Sequence, residues 1–240
     1  MEVTRGTLLG GRIRHDQPRQ GHRTGIEPVL LAAAVPARAG DRVLEGGAGV
    51  GTALLCLARR VPGLAGVGIE RDAALVAIAR ANAAANSATG LVFIAADVAE
   101  APLAGPFDHA ISNPPWHAPD GTASPDARRE AAKRGSAGLL AAWARALAAP
   151  LRARGTLTLV VAAGQLPQGL AALAHAGCGS PAIFPLWPKA QRPPKLVLLR
   201  AVKGGRGPCR LLAGLVLHAP DGRYTGAADS ILRDGAALEL

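Results

Sequence analysis

At 240 residues, the chain is long enough for one large domain, or for a domain with a small appendage. Hydrophobic residues make up 49% and charged residues 18%, which supplies material for a sizeable core and argues against a disordered chain. The formal net charge of +10 favours a polyanionic partner, RNA or DNA before an anionic membrane surface, although genomic base composition alone can also enrich Arg.

The cysteines and the apolar stretches indicate the compartment. Cys56, Cys178 and Cys209 are far apart and form no CxxC pair, so neither a zinc site nor a disulfide framework is expected. The first twenty residues are polar and charged, unlike a secretory signal. Apolar stretches such as 29–37 are too short or too interrupted for a membrane span. We therefore expect a cytoplasmic protein with no membrane partner.

From about Asp41 onward, short apolar runs alternate with longer helical patterns. Strands are predicted at 42–45, 66–70, 91–95, 107–112, 156–162, 182–186 and 195–202. Helices are predicted at 51–60, 72–86, 138–149 and 165–176, with Asp72 as the cap of the second. Because strands alternate with helices, the pattern predicts an α/β, Rossmann-like, doubly wound and mostly parallel sheet of seven strands.

Three parts of the chain follow from this pattern. Residues 1–37 form an N-terminal extension with a basic segment and an apolar helix, and 38–203 form the α/β core. Residues 204–240 form a C-terminal tail packed on the core, with a short strand, a turn and a last helix. Loops are expected at 119–125 and 185–194, which are rich in proline.

The first candidate site follows the first core strand, where Glu45 precedes Gly47, Gly49 and Gly51. Glycines there let the backbone turn tightly and let a ligand approach it closely. Dinucleotide sites prefer GxGxxG, and an acid before the loop would repel their pyrophosphate. The carboxylate of Glu45 suits the ammonium of a methionine moiety, so the pattern favours S-adenosylmethionine as cofactor. A structural glycine turn without a ligand is the alternative.

Two further acids follow the next strands. Glu70 comes about twenty residues after the glycine loop, and its two oxygens can accept both hydroxyls of a ribose. A helix-capping or exposed acid is the alternative for Glu70. Asp97 can accept a hydrogen bond from the amine of the cofactor's adenine, although an ordinary surface aspartate explains the residue nearly as well.

The most specific signal is the run from Ser112 through Asn113 and Pro114 to Trp116. The prolines restrict the backbone after a buried strand and leave a carbonyl outside the sheet pairing. The Asn113 side chain and that carbonyl can accept both hydrogens of an NH2 group, and Trp116 offers a face for base stacking. Accepting both hydrogens favours a pyramidal nitrogen whose lone pair can attack a methyl group. The motif therefore predicts methylation of an exocyclic amine by positioning and electrostatics.

Two groups of basic residues could meet the phosphates of a nucleic acid. Solvated surface is an equally good explanation for both groups. They comprise Arg12, Arg14, Arg19 and Arg23 near the amino terminus, and Arg128, Arg129, Lys133 and Arg134 after the proline motif. The six histidines show no metal-ligand spacing, so no metal site is expected.

With these residues in place, the chain resembles the class I S-adenosylmethionine-dependent methyltransferases that carry an Asn-Pro-Pro-aromatic motif. Within that group it is most similar to the bacterial tRNA1(Val) adenine N6-methyltransferases, from about Gln20 to Leu240. The resemblance is carried by 25–31, 45–51, Glu70, Asp97, 113–116 and the tail segment 215–225.

The resemblance implies that the loop 45–51 binds the cofactor, Glu70 its ribose and Asp97 its adenine. It also implies that Asn113 and Pro114 grip the amine of an adenine in tRNA. Three residues depart from the family pattern: Glu45 and Glu27 stand where Asp is usual, and Trp116 replaces the more frequent Tyr.

Other functions remain open from the sequence. A similar motif serves any planar NH2 group, so a protein glutamine, a small molecule or a DNA amine is an alternative target. A binding protein for S-adenosylmethionine or RNA that lacks catalysis is another. The net charge favours RNA, and an intact motif favours an enzyme.

Overall fold

The computed structural model describes residues 2–20, 23–101, 103–114 and 137–240. In these ranges, strands β1 to β11 span Val3–Leu8, Ile13–Pro18, Arg42–Gly46, Ala65–Glu70, Leu91–Ala95, Phe107–Ser112, Leu151–Ala162, Cys178–Lys189, Leu196–Lys203, Arg210–Leu211 and Leu215–His218. Helices α1 to α6 span Glu27–Ala33, Thr52–Arg60, Ala73–Ala85, Ala137–Ala148, Leu166–His175 and Gly226–Asp229. A π-helical turn, Ser230–Asp234, follows α6.

The central sheet has the order β10-β8-β9-β7-β6-β3-β4-β5, and β11 pairs with β8 beyond β10. Strand β9 is antiparallel to β7 and β8, whereas the other pairs are parallel. The predicted doubly wound α/β fold is confirmed. The predicted count of seven strands is short by two, because β10 and β11 of the tail extend the sheet beyond β8.

Two apolar clusters cover the two faces of the sheet. One joins the sheet to α1, α2 and α3 and also takes in residues of the N-terminal hairpin and the tail. The other joins the sheet to α4 and α5. Helix α3 begins at the predicted cap, since the side chain of Asp72 accepts a hydrogen bond from Ala74 N at 2.8 Å. The sheet is therefore fixed between two helical layers. The carboxyl ends of its parallel strands form one edge of the sheet, and their amino ends form the opposite edge.

The prediction of a loop at 185–194 is wrong for its first five residues, because β8 continues through Pro185 to Lys189. Pro185 pairs with Val197 of β9, and the strand on its other side is interrupted at this point. Pairing with β8 stops after β10 and resumes in β11. Gly214, whose φ is +82°, lies directly before β11. Because proline has no N–H for a ladder, a break in the neighbouring strand lets it remain in the sheet.

The basic segment predicted at the amino terminus is a β-hairpin, β1 paired antiparallel with β2. Its turn contains Leu9, Gly10 and Gly11, all with positive φ. Ile13, at 1% exposure, packs into the apolar cluster beneath the hairpin. The hairpin is therefore part of the core structure and not a free basic arm.

The tail packs beside this hairpin. Arg12 donates to Asp234 Oδ1 at 3.0 Å and to the Asp234 carbonyl at 2.9 Å. Leu238 N donates to the carbonyl of Ala33 at 2.8 Å, and the side chain of Ile231 is 3% exposed. None of the helices in the described ranges combines the length and apolar character that crossing a bilayer requires.

Candidate active site

The carboxyl ends of four parallel strands lie side by side at one edge of the sheet. Gly46 at the end of β3 pairs with Ile69 on β4 and with Ser112 on β6, while Glu70 pairs with Ala95 on β5. With about 4.8 Å between strands, these ends span roughly 15 Å. The fold therefore brings the glycine loop, Glu70, Asp97 and Asn113 to the same edge of the sheet.

The glycine loop turns through left-handed backbone at Gly47, Gly49 and Gly51, with φ of +71°, +55° and +84°. A Cβ at Gly47 would lie 2.9 Å from the ring of Trp143 on α4, and one at Gly51 would lie 2.7 Å from Phe93. A Cβ at Gly49 would meet nothing within 4 Å. Two of the glycines are therefore packed against aromatic rings, and the third faces open space that a ligand can enter.

Glu45 lies beneath this loop and is 4% exposed. Its Oε2 accepts a hydrogen bond from Leu54 N in the first turns of α2, at 3.3 Å. Burial, opposed by that bond and supported by the nearby charge of Glu70, raises the pKa of Glu45 to about 8. At neutral pH the carboxyl is therefore mostly protonated, because little solvent or positive charge from the described residues stabilises its ionised form.

Glu70 connects the end of β4 to the loop. Its Oε2 accepts from Gly49 N at 3.1 Å, and its Oε1 accepts from Asp72 N at 3.0 Å. The side chain is half-buried. Each carboxylate oxygen has a second lone pair, so Glu70 can hold the loop in place and still accept hydrogen bonds from two neighbouring hydroxyls.

Asp97 is exposed, one residue beyond the point where Ala96 N donates to the carbonyl of Glu70. Its Oδ1 accepts from Ala99 N at 2.8 Å, which closes a turn. This contact gives Asp97 a structural role, and the residue lies at the same edge of the sheet as Glu70.

The strand β6 ends at the proline motif. Ser112 is fully buried, and its hydroxyl donates to the carbonyl of Gly46 at 2.8 Å, which ties the motif to the glycine loop. Asn113 is half-buried and Pro114 is buried, directly beyond this bond. Trp116 lies outside the described residues, as does the predicted basic group 128–134.

Two contributors to this edge were not predicted as site residues. Trp143 is half-buried on α4 with its ring against Gly47, and the signal for it was a lone tryptophan in an Ala- and Leu-rich helix. The second is Asn82 on α3, whose Nδ2 donates to the carbonyl of Val50 in the loop at 3.1 Å. Nothing in a single sequence indicates that an asparagine in a helix supports a loop thirty residues away.

Asn82 also binds the hairpin. It accepts from Asp16 N at 2.8 Å and donates to the Asp16 carbonyl at 2.9 Å. One turn further along α3, Asn86 makes the same pair of bonds with Arg14, at 2.8 and 2.7 Å. His15 lies between Arg14 and Asp16 in the hairpin, and its Nε2 is hydrogen-bonded to the hydroxyl of Thr52 at 2.8 Å. The hairpin, α3 and the glycine loop therefore form one hydrogen-bonded unit.

The predicted N-terminal basic group is dispersed by this arrangement. Arg12 is bonded to the tail, and Arg19 pairs with Glu2 at 3.2 Å. Arg14 and Arg23 are exposed. Within the described ranges, no three His, Cys, Asp or Glu side chains are placed to hold a metal ion.

A doubly wound sheet of this order, with a glycine loop after β3 and an acid at the end of β4, is the architecture of the class I methyltransferases, which use S-adenosylmethionine. The family model described as methyltransferase small domain matches residues 27–165, more than half of the chain. The chain belongs to this family and is an S-adenosylmethionine-dependent methyltransferase.

Comparisons with individual proteins agree with this assignment. The chain is 32% identical to a tRNA1(Val) (adenine(37)-N6)-methyltransferase of Aeromonas hydrophila, with 88% of each covered. It is 37% identical to a release factor glutamine methyltransferase of Rhodospirillum rubrum, over 41% of this chain and 30% of that protein. A crystal structure from Agrobacterium tumefaciens, described as a predicted O-methyltransferase, superposes with a TM-score of 0.74 at 25% identity, covering 89% of this chain and 98% of that one.

Proposed function

We propose that the enzyme transfers the methyl group of S-adenosylmethionine to N6 of an adenine in tRNA. The observation that carries the proposal is the position of Asn113 and Pro114, immediately beyond a Ser112 hydroxyl bonded to the glycine loop. An amine held by this motif would lie next to whatever the loop binds. The similarity to the Aeromonas hydrophila enzyme, over 88% of both chains, supports adenine in tRNA as the target.

The glycine loop supports a position for the cofactor beside it. The open face at Gly49 leaves room for a ligand against the backbone, and Glu70 can accept from its ribose hydroxyls. Asp97, at the end of the same edge, would contact the adenine of the cofactor, and Glu45 lies behind its methionine end. When bound, the cofactor supplies a methyl group on a positively charged sulfur.

The chain's residues then act on the target amine. The Asn113 side chain and the Pro114 carbonyl would accept hydrogen bonds from the two N–H groups of the amine, which would direct the nitrogen lone pair at the methyl carbon. The new nitrogen–carbon bond would form as the methyl–sulfur bond breaks, with its electron pair returning to sulfur. The methylated nitrogen loses one proton to solvent afterwards, so no strong general base is required. Trp116 would cover one face of the base by stacking. The similar protein from Agrobacterium tumefaciens is described as a predicted O-methyltransferase. An amine-binding motif in this chain favours methylation of nitrogen over oxygen.

The test is methyl transfer from labelled cofactor to tRNA from a strain that lacks the protein, followed by nucleoside mass analysis. We expect N6-methyladenosine with the wild type and a loss of turnover of about 100-fold or more with Asn113→Ala. Arg38→Ala, exposed at the opposite edge of the sheet, is the matched control and should retain full activity. Labelled tRNA in which the methyl group lies on any other atom would contradict the proposal.

Glutamine methylation in a release factor is the second candidate. The observation that favours it is the 37% identity to the Rhodospirillum rubrum enzyme, although the match covers only 99 residues. A side-chain amide also presents a planar NH2 to Asn113. A purified release factor, offered in the same assay in place of tRNA, would be labelled if this candidate is correct and would stay unlabelled if tRNA is the substrate.

A further inference from the structure

The carboxyl edge continues past the proline motif onto a second surface. Strand β7 pairs with β9 so that Ala162 lies opposite Leu196, and Ala163 N donates to the carbonyl of Lys195 at 2.9 Å. The β8–β9 loop, 190–195, therefore emerges at the same edge as Asn113. Strand β11 runs parallel to β8 with His218 opposite Lys189, and the turn after β11 reaches the same edge.

We call this surface the rim. Its members are polar and lie at the carboxyl ends of β8 and β11, on the β8–β9 loop or on the turn after β11; they comprise Lys189, Arg192, Lys195, His218, Arg223 and Tyr224. Four strand spacings separate β6, which ends at Asn113, from β11, which corresponds to roughly 19 Å. The rim therefore lies within reach of a polymer whose target base is held at Asn113.

The rim is cationic. Lys189, Arg192, Lys195 and Arg223 are exposed, and Asp221 is the one acid in the sequence from 182 to 225. Asp221 lies 3.8 Å from the Arg223 guanidinium, with side-chain exposures of 59% and 88%, so this pair neutralises little charge. Such a surface suits a chain of phosphates.

The loop and the turn are held together. Lys189 Nζ donates to the carbonyl of Pro220 at 3.2 Å. Within the turn, Ala219 N donates to the carbonyl of Arg223 at 2.9 Å, and Gly222 N donates to the carbonyl of Ala219 at 3.0 Å. The cations are therefore displayed on an ordered backbone, which lowers the entropy lost when a ligand binds.

An aromatic pair lies among the cations. The rings of His218 and Tyr224 are stacked, with centroids 4.8 Å apart and planes 22° apart. His218 Nδ1 lies 3.1 Å from the carbonyl of Gly222, which restricts its ring, and Tyr224 is 38% exposed. Tyr224 is among the few large apolar or aromatic residues left exposed in the described ranges. A supported ring with an open part is suited to stacking against a base.

We infer that the rim binds an unpaired segment of the RNA substrate next to the target adenine, with its cations on the phosphates and a base on Tyr224. Stacking requires a base that is free of a duplex, which single-stranded loops provide. The inference rests on the proposed function for its choice of RNA. An acidic protein could meet the cations but has no base to place on the ring.

The experiment measures binding of unfractionated tRNA by the full-length protein without cofactor, across a range of salt concentrations. The triple variant Arg192→Ala, Lys195→Ala, Arg223→Ala should bind roughly tenfold more weakly at physiological salt and show a shallower salt dependence. A matched triple variant at the opposite edge, Arg38→Ala, Arg154→Ala, Arg206→Ala, should bind like the wild type.

The aromatic contact is tested separately. Tyr224→Leu should weaken tRNA binding by roughly tenfold, and Tyr224→Phe should not, because the ring is what a base stacks on. Binding of S-adenosylmethionine should be unchanged in every variant, which shows that the fold and the cofactor site are intact.

Equal losses in the two triple variants would show a general charge effect and overturn the inference, as would no loss in either. Retained binding in Tyr224→Leu would overturn the stacking contact. Since binding is measured without methyl transfer, a selective loss in the rim variants stands even if the product is not N6-methyladenosine. A wild-type protein that ignores tRNA but labels a release factor would overturn both the rim and the proposed function.

Discussion

Glu45 is the described carboxyl group whose ionisation the fold alters most. In an unfolded chain its pKa is near 4.5, and in the folded protein burial raises the pKa to about 8. Between these two values the folded state holds a proton that the unfolded state has lost. The stability that Glu45 contributes is therefore fully present below pH 4.5 and is lost as the pH rises towards 8.

Glu45→Gln should remove this dependence, because the amide is neutral and its oxygen can still accept from Leu54 N. We expect the variant without cofactor to be more stable than the wild type by roughly 1–4 kcal/mol at pH 8, with the difference shrinking towards pH 5. Urea denaturation of both proteins across this pH range measures it. Parallel stability curves would mean that Glu45 is ionised in the folded protein.

The glycine loop gives a second prediction. Gly49→Ala should cost only about 1–2 kcal/mol of stability for its left-handed backbone, since its Cβ would meet nothing within 4 Å. The same Cβ would occupy the open face, so we expect S-adenosylmethionine affinity to fall at least roughly tenfold. Gly47→Ala should cost more stability because its Cβ would meet Trp143 at 2.9 Å. Unchanged cofactor affinity in Gly49→Ala, measured calorimetrically, would place the cofactor elsewhere.

At the scale of elements, α3 supports both the hairpin and the glycine loop through two asparagines. Asn82 binds the backbone of Asp16 in the hairpin and of Val50 in the loop, and it is 2% exposed. Asn86 binds Arg14 in the hairpin and, through Nδ2, the carbonyl of Asn82 itself. The two side chains thus make equal numbers of bonds, and only one of them touches the loop.

This difference can be measured with the matched pair Asn82→Ala and Asn86→Ala. Each change leaves backbone groups of the hairpin without partners and should destabilise the protein by about 1–3 kcal/mol. Only Asn82→Ala should also weaken S-adenosylmethionine binding, since the loop loses its bond at Val50. Equal cofactor affinities in the two variants, determined by isothermal titration, would show that the loop keeps its shape without Asn82.

Sequence patterns predicted the elements whose signals lie within their own residues. Strands β3 to β6 follow from short apolar runs, and α3 from its periodicity and its Asp72 cap. The hairpin escaped prediction because its strands are polar, although Gly10 and Gly11 carried a turn signal. Only residues 182–186 of β8 were predicted as a strand, because the prolines that follow suggest a loop, and the break in the strand beside Pro185 explains why β8 continues to Lys189.

The candidate site divides in the same way. The positions of Glu70, Asp97 and Asn113 at one edge follow from the shared direction of the parallel strands, which the alternation of strands and helices in the sequence predicts. The burial of Glu45 does not follow from the sequence, because an acid at the end of a strand can face either the solvent or the following helix. The contact of Trp143 with Gly47 also depends on how α4 packs across the sheet, over about a hundred residues of chain.

At the scale of the whole molecule, the tail completes the core on one face of the sheet. Ile231, 3% exposed, belongs to the apolar cluster that includes Leu9 and Ile13 of the hairpin. Leu211, in the same tail, is 75% exposed on the short strand β10. The tail therefore offers a buried and an exposed aliphatic side chain that can be compared directly.

Ile231→Ala should lower the free energy of unfolding by about 2–5 kcal/mol, through lost burial and the cavity that remains. Leu211→Ala should change it by no more than about 0.5 kcal/mol. Thermal or urea unfolding of the two variants tests this, with the wild type as reference. Equal effects would indicate that the tail does not form part of the cooperative core.

The bond between Arg12 and Asp234 joins residues that are 222 positions apart. During synthesis, the hairpin tip leaves the ribosome long before its partner has been made. At roughly 5–20 residues per second, that interval lasts about 11–44 s. Newly made chains therefore carry Leu9 uncovered by the tail for most of their translation, and an interrupted translation product would present this apolar surface to chaperones.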